Sequence, residues 1–179
     1  MLLNDISDYK NNSDWLPIIA SVMLFEVYVI FRPMQWKSTG TLMYRWYLDF
    51  GLIAVLADIL IVLIGYIIAR YIYKIFIYPK YGFSPLAFII TLVAIQIIHD
   101  LCYYFILVQN IPRGANTLID FMKDYGKEYK SSAIIGDSLM FIFGALIAMY
   151  LKGYPAHISI AVIIVSSYIM QYSLTTRRQ

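Results

Sequence analysis

The chain has 179 residues, of which 61% are hydrophobic and only 14% charged, with a mean hydropathy of +0.68. Water-soluble domains of this length carry far more charge, so the composition excludes an ordinary soluble fold. A net charge of +3 spread over scattered basic residues argues against a nucleic-acid surface, and a single cysteine, Cys102, rules out an intramolecular disulfide framework.

The leading segment carries Asp5, Asp8, Lys10 and Asp14, the wrong sign for the start of a secretory signal, so the first apolar run is expected to be a retained helix. A helix that crosses the hydrocarbon core needs about 20 mostly apolar residues, because no water is present there to satisfy its backbone. Five stretches meet or approach that length: 15–31, 49–69, 86–108, 132–151 and 155–172. The expected fold is therefore an all-α integral membrane protein, a single transmembrane helical domain over 1–179. Breakers separate the spans: Arg32-Pro33 with Gly40, the stretch from Pro79 to Pro85, Pro112 to Gly114, and Gly153 to Pro155. The second helix is expected to continue past Ala69 through Tyr71, Tyr73 and Phe76 into the headgroup layer. Seventeen Tyr and three Trp suit a chain with much surface at membrane-water boundaries.

Between the third and fourth spans lies a segment of another kind. Leu118, Phe121, Met122, Tyr125 and Tyr129 recur at helical spacing, with Asp120, Lys123, Asp124, Lys127 and Lys130 around the rest of the circumference. This predicts a short amphipathic helix near 117–130, capped by Thr117 with Asp120 three residues on. Leu118, Phe121, Met122 and Tyr125 would lie on the inner membrane face; the alternative is a helix packed on the protein's own loops.

Lysine and arginine are held on the cytoplasmic side of membrane proteins. With the N-terminus outside, the inner side holds Arg32, Lys37, Arg45, Arg113, Lys123, Lys127, Lys130, Arg177 and Arg178, against Lys10, Arg70, Lys74, Lys80 and Lys152 outside. Nine against five predicts a multi-pass protein with an outer N-terminus and a cytoplasmic C-terminus. Asn11-Asn12-Ser13 would then be an outer glycosylation sequon.

A shift of 79 residues lays the second span on the fourth. Ala54, Asp58, Leu60, Gly65, Ile68, Ala69 and Tyr71 fall on Ala133, Asp137, Leu139, Gly144, Ile147, Ala148 and Tyr150. Such a repeat would relate two helical hairpins in parallel, with the first helix added. Ala54, Gly65 and Ala69 in one copy, and Ala133, Gly144 and Ala148 in the other, form small-residue stripes that permit close helix packing in lipid. Each Asp sits on its stripe and is expected to face protein.

Glu26, Asp58, Asp100 and Asp137 fall inside the expected spans, and His99 precedes Asp100. A charge in mid-bilayer costs roughly 2.5 to 3.5 kcal/mol on insertion scales, so such groups face the bundle interior or water. In the outer-N orientation all four carboxylates lie at the centre or in the cytoplasmic half. Gln96 and Tyr103 share a helical face with His99 and Asp100. Two readings stand: a proton- or cation-handling cluster with His99 as relay, or hydrogen-bonded acids that lock helices together. His157 is expected at the interface, and Ser159, Ser166 and Ser167 are expected to bond backbone carbonyls.

Motifs for catalysis are missing. The two histidines lie 58 residues apart, and there is no G-x-S-x-G, no phosphate-binding glycine loop and no potassium-filter sequence. No cofactor and no metal are expected, and the chain reads as a non-enzyme. An intramembrane hydrolase is a distant third reading: the nearest catalytic resemblance is to intramembrane aspartyl proteases, where Gly136-Asp137 supplies half of the Gly-x-Gly-Asp motif, but Ile134 replaces the first Gly, Ala57 precedes Asp58 where that family has Tyr, and the Pro-Ala-Leu signature is missing.

Gln96-Ile97-Ile98-His99-Asp100, Ile111-Pro112-Arg113-Gly114 and residues 118–137 resemble uncharacterised polytopic membrane proteins of large nucleocytoplasmic DNA viruses, over about the middle third of the chain. The resemblance implies a virus-encoded protein of a host or virion membrane; together with the missing catalytic motifs and the small-residue stripes it makes a non-enzymatic structural or assembly component the leading expectation. Its expected partners are the lipid bilayer and further copies of the chain or other membrane or capsid proteins, with no nucleic acid. The alternative is a small channel or transporter, in two or more copies.

Overall fold

The computed structural model describes residues 3–35 and 41–175. Among them every regular element is helical, as follows: α1 (Trp15–Gln35), α2 (Thr41–Phe50), α3 (Leu52–Ile72), α4 (Pro85–Cys102), α5 (Thr117–Tyr129), α6 (Ser131–Leu151) and α7 (Ala156–Thr175). Five helical rods are long and apolar enough to cross a membrane: Asn12–Met34, Leu52–Tyr81, Pro85–Val108, Ser131–Leu151 and Ala156–Thr175. Ile53, Leu60, Ile90, Ile98 and Ile164 point outward from them, each more than half exposed. That is a surface for lipid tails rather than water. The chain is a multi-pass helical membrane protein.

Several boundaries differ from those read in the sequence. Pro33 does not end α1; the helix runs on to Gln35, with Pro33 and Met34 buried. The second span starts at Leu52 rather than at residue 49, because Gly51 takes φ +53° and breaks the chain. Before that break residues 41–50 form a separate helix, α2, which the hydropathy pattern missed. The extension of the second span is real and longer than expected: α3 continues through a π-helical turn, Tyr73–Ile77, to Tyr81. Tyr73, however, is buried instead of emerging, and its hydroxyl accepts from Ser84 N at 2.8 Å and staples the turn to α4. Asn116, not Thr117, caps α5: its side chain accepts from Leu118 N and Ile119 N, while Asp120 accepts from Gly114 N. Lys37, Gly40, Arg177 and Arg178, used above for the turn signal and the charge count, lie outside the described residues.

Helices α1, α3, α4 and α6 pack in that cyclic order, each against the next, as a four-helix ring, and α7 lies along the back of α1. The first helix is thus the hub of the bundle rather than an addition to two hairpins. Where α3 packs directly on α4, α7 makes its extensive contact with α1, so the two halves related by the 79-residue shift are assembled differently. The small-residue stripes turn inward: Ala54, Gly65, Ala69, Gly144 and Ala148 are buried and Ala133 is half-buried. Gly65 is required by its neighbour, since a methyl group there would lie 2.7 Å from the Phe141 ring, which stacks on Tyr66.

One end of the ring is closed by residues 3–14. Arg70, fully buried, donates through Nη2 to the carbonyls of Asp8 and Asn11 (2.8 Å for the latter) and to Asp14 Oδ2 at 3.2 Å, and its guanidinium lies over the Trp15 ring. Lys152 reaches Asp14 Oδ1 at 2.5 Å and donates to the Asp5 carbonyl. Lys74 pairs with Asp8 at 3.4 Å. Asn11 of the sequon donates its amide to Asp14 at 3.0 Å, so glycosylation there would break that contact.

Helices α2 and α5 lie across the other end. Phe121 is buried against Trp46 and Phe50, and Leu118, Met122 and Tyr125 pack on the same core. The apolar stripe of α5 thus packs on helix α2 and the core, rather than on loops. Gly126 gives room for Tyr104, which the π-helical turn Tyr103–Val108 aims at α5.

Candidate functional site

The four carboxylates come from four different helices and form a chain at the α2–α5 end. Glu26 of α1 is fully buried. Its Oε1 lies 3.0 Å from the Tyr47 hydroxyl, and the same hydroxyl lies 3.2 Å from Asp58 Oδ2 on α3. Trp46 Nε1 donates to that Asp58 oxygen at 2.9 Å. The other Glu26 oxygen, Oε2, is buried without a hydrogen-bond partner. Asp137 of α6 lies against the Asp100 carboxyl of α4 and within electrostatic reach of Asp58.

Asp100 is held on both oxygens. Gln96 Nε2 donates to Oδ2, and His99 Nδ1 lies 3.1 Å from Oδ1. The hydroxyl of Ser138, next to Asp137, lies 2.8 Å from both Gln96 Oε1 and the Ile134 carbonyl, and so ties the amide to α6. Tyr103 stacks on the His99 ring and continues the helical face expected for it.

Access is graded along the chain. The His99 and Asp100 side chains are 39% and 24% exposed, and Asp137 is open along one side although protein surrounds it on the others. Asp137 shares its helical face with Phe141, Gly144 and Ala148, all buried, so the bundle opens at the level of Asp137 and seals above it. The expectation that each Asp faces protein therefore holds for Asp58 and requires amendment for Asp137, which also meets the exterior. Tyr125 of α5 lies within electrostatic reach of Asp137; burial, then the charge of Asp137, raises its hydroxyl pKa.

Tyr47 lies outside the membrane-spanning rods, and burial followed by the charges of Glu26 and Asp58 pushes its pKa well above the ordinary value. It keeps its hydrogen, and can donate and accept at once. The remaining residues have smaller parts: Cys102 is exposed, Ser159 and Ser166 are buried, and Ser167 bonds the Ile163 carbonyl. Among the described residues no group of three or more His, Cys, Asp or Glu is arranged to hold a metal ion.

Trp46, Tyr47 and Ser138 belong to the site and were not singled out from sequence. A signal for the first two exists: Leu42, Trp46, Tyr47 and Phe50 share a helical face, with Arg45 and Asp49 paired at 3.0 Å away from it. Averaged over the length of a membrane span, a ten-residue amphipathic helix is lost between its two apolar neighbours.

Comparison of the chain with protein-family models, with curated proteins and with solved structures finds no match.

Proposed function

We propose that this membrane protein handles protons, taking them up at one end of the bundle through a chain of carboxylates, as a small channel or transporter subunit. The observation that carries the reading is the convergence of Glu26, Asp58, Asp100 and Asp137, from four helices, with one tyrosine hydroxyl between the first two. Acids used only as helix locks would each be satisfied by neutral donors on a neighbouring helix. Here two pairs of acids face each other, an arrangement that works when protons are shared. His99, with a partly exposed side chain, is suited to exchange with water. In the outer-N orientation the open end faces the cytoplasm. Five spans leave little space for a private path through one copy, which supports a homo-oligomer.

Proteoliposomes test this. Wild-type protein should dissipate an imposed pH gradient, and Asp58→Asn and Asp137→Asn should abolish the flux. Absence of flux in wild type, or flux indifferent to both changes, defeats the reading.

A second reading is a non-enzymatic scaffold of a viral or host membrane, in line with the family resemblance. It is favoured by Asp58, whose bonds to Trp46 and Tyr47 clasp α2 onto α3. The same assay separates the two, since a scaffold carries no flux.

A further inference from the structure

We infer that Glu26, Tyr47 and Asp58 store one proton, carried on Glu26 at rest and passed through the Tyr47 hydroxyl to Asp58. The inference deepens the proton-handling reading and rests on it for its purpose, but its argument is one of hydrogen-bond valence. The Tyr47 hydroxyl owns a single hydrogen, yet it faces two carboxyl oxygens, Glu26 Oε1 at 3.0 Å and Asp58 Oδ2 at 3.2 Å. Two ionised carboxylates can only accept, so one of these contacts would lack a hydrogen. A second hydrogen, on one of the two acids, makes both contacts good.

The surroundings decide which acid carries it. Asp58 Oδ2 also faces the indole N–H of Trp46 at 2.9 Å, a group that can only donate, so this oxygen is an acceptor. Glu26 has no such donor. It is fully buried, and its Oε2 has no partner. The groups that reach it are Tyr47 from α2, Asp58 from α3 and Asp137 from α6, none of them a cation; α7, packed behind α1, brings the buried hydroxyls of Ser159, Ser166 and Ser173 but no buried charge. An ionised Glu26 would be a bare charge in an apolar interior, which is a far costlier state than a neutral acid.

The resting state is therefore Glu26 Oε1–H donating to Tyr47 Oη, and Tyr47 Oη–H donating to Asp58 Oδ2. Transfer breaks the O–H bond of Tyr47 as one forms on Asp58, and breaks that of Glu26 as one re-forms on Tyr47. One proton moves from Glu26 to Asp58, one negative charge moves the other way, and Tyr47 is unchanged. From Asp58 the outward route leads to Asp137 and Asp100, where the bundle opens.

Infrared difference spectroscopy of the full chain in phosphatidylcholine vesicles at neutral pH reads the stored proton directly. The spectrum of wild type minus Glu26→Gln should contain the C=O stretch of a protonated carboxyl, moved to lower wavenumber in heavy water. In Tyr47→Phe, where the acid loses its acceptor, the same band should move to higher wavenumber. An empty carboxyl region in the Glu26→Gln difference overturns the inference. If Glu26→Gln fails to fold, a Tyr47→Phe spectrum identical to wild type in that region overturns it instead. A band that vanishes with Glu26 from a protein without proton flux supports the stored proton and removes only the transport reading.

Discussion

The two ends of this bundle both bury charge, and they neutralise it by different means. At the end closed by the N-terminal segment, Asp14 is fully buried between Arg70 and Lys152, so opposite charges cancel. At the α2–α5 end acids face acids across Tyr47 and between Asp100 and Asp137. A buried ion pair is fixed, because removal of either partner strands the other. A set of acids that share protons can change its state whenever water reaches it. The first arrangement makes a plug, and the second is what the proposed proton handling needs.

The sharpest way to break this contrast is to compare stability losses. Arg70→Ala leaves Asp14 with half its compensation and strands the carbonyls of Asp8 and Asn11, and should cost about 3–5 kcal/mol. Asp58→Asn keeps a carbonyl oxygen for Trp46 and should cost no more than about 1.5 kcal/mol. Thermal unfolding of both variants in detergent measures the difference. Equal losses would mean that the carboxylate chain is as rigid a structural device as the ion cluster.

The second test concerns the wall between the two ends. Gly65→Ala forces a methyl group against the buried Phe141 ring and should destabilise by about 1–3 kcal/mol, most of it recovered by Phe141→Leu in the same chain. Gly136→Ala, with no atom nearby to meet, is the control and should be close to neutral.

The smallest effect is one of pH. The backbone amide of Lys10, and then Lys74, hold the Asp8 carboxyl below its ordinary value of 3.8. Its folded pKa is depressed, so its contribution is fully present above 3.8 and is lost as pH falls through the lower folded value. The melting temperatures of wild type and Asp8→Asn should therefore differ at neutral pH and converge below pH 3.8. A gap that persists in acid would assign the role of Asp8 to shape rather than charge.

Much of the architecture could be read from the chain because lipid imposes one strict rule. An apolar run of about 20 residues has to satisfy its own backbone, so four of the five long rods are legible to within a few residues, and the second at its start but not at its end. The cost of mid-bilayer charge likewise singled out Glu26, Asp58, Asp100 and Asp137. What hid was everything set by tertiary contact: the break at Gly51, the run of α1 through Pro33, and the helix that brings Trp46 and Tyr47 onto the acids. Arg70 was visible as a charge near the end of a span, but its partners come from residues 56 to 62 positions earlier in the chain, a distance that no periodicity reports.

The place of α1 has a consequence for how the protein is made. Synthesis produces the hub first, and its back face stays uncovered until α7 emerges, while Asn4 waits for Met149 across 145 residues. After release of α6 the ring can close, yet one flank of its oldest member still lies against lipid. Anything that competes for that flank during biogenesis, a neighbouring nascent chain included, competes with the arrival of α7.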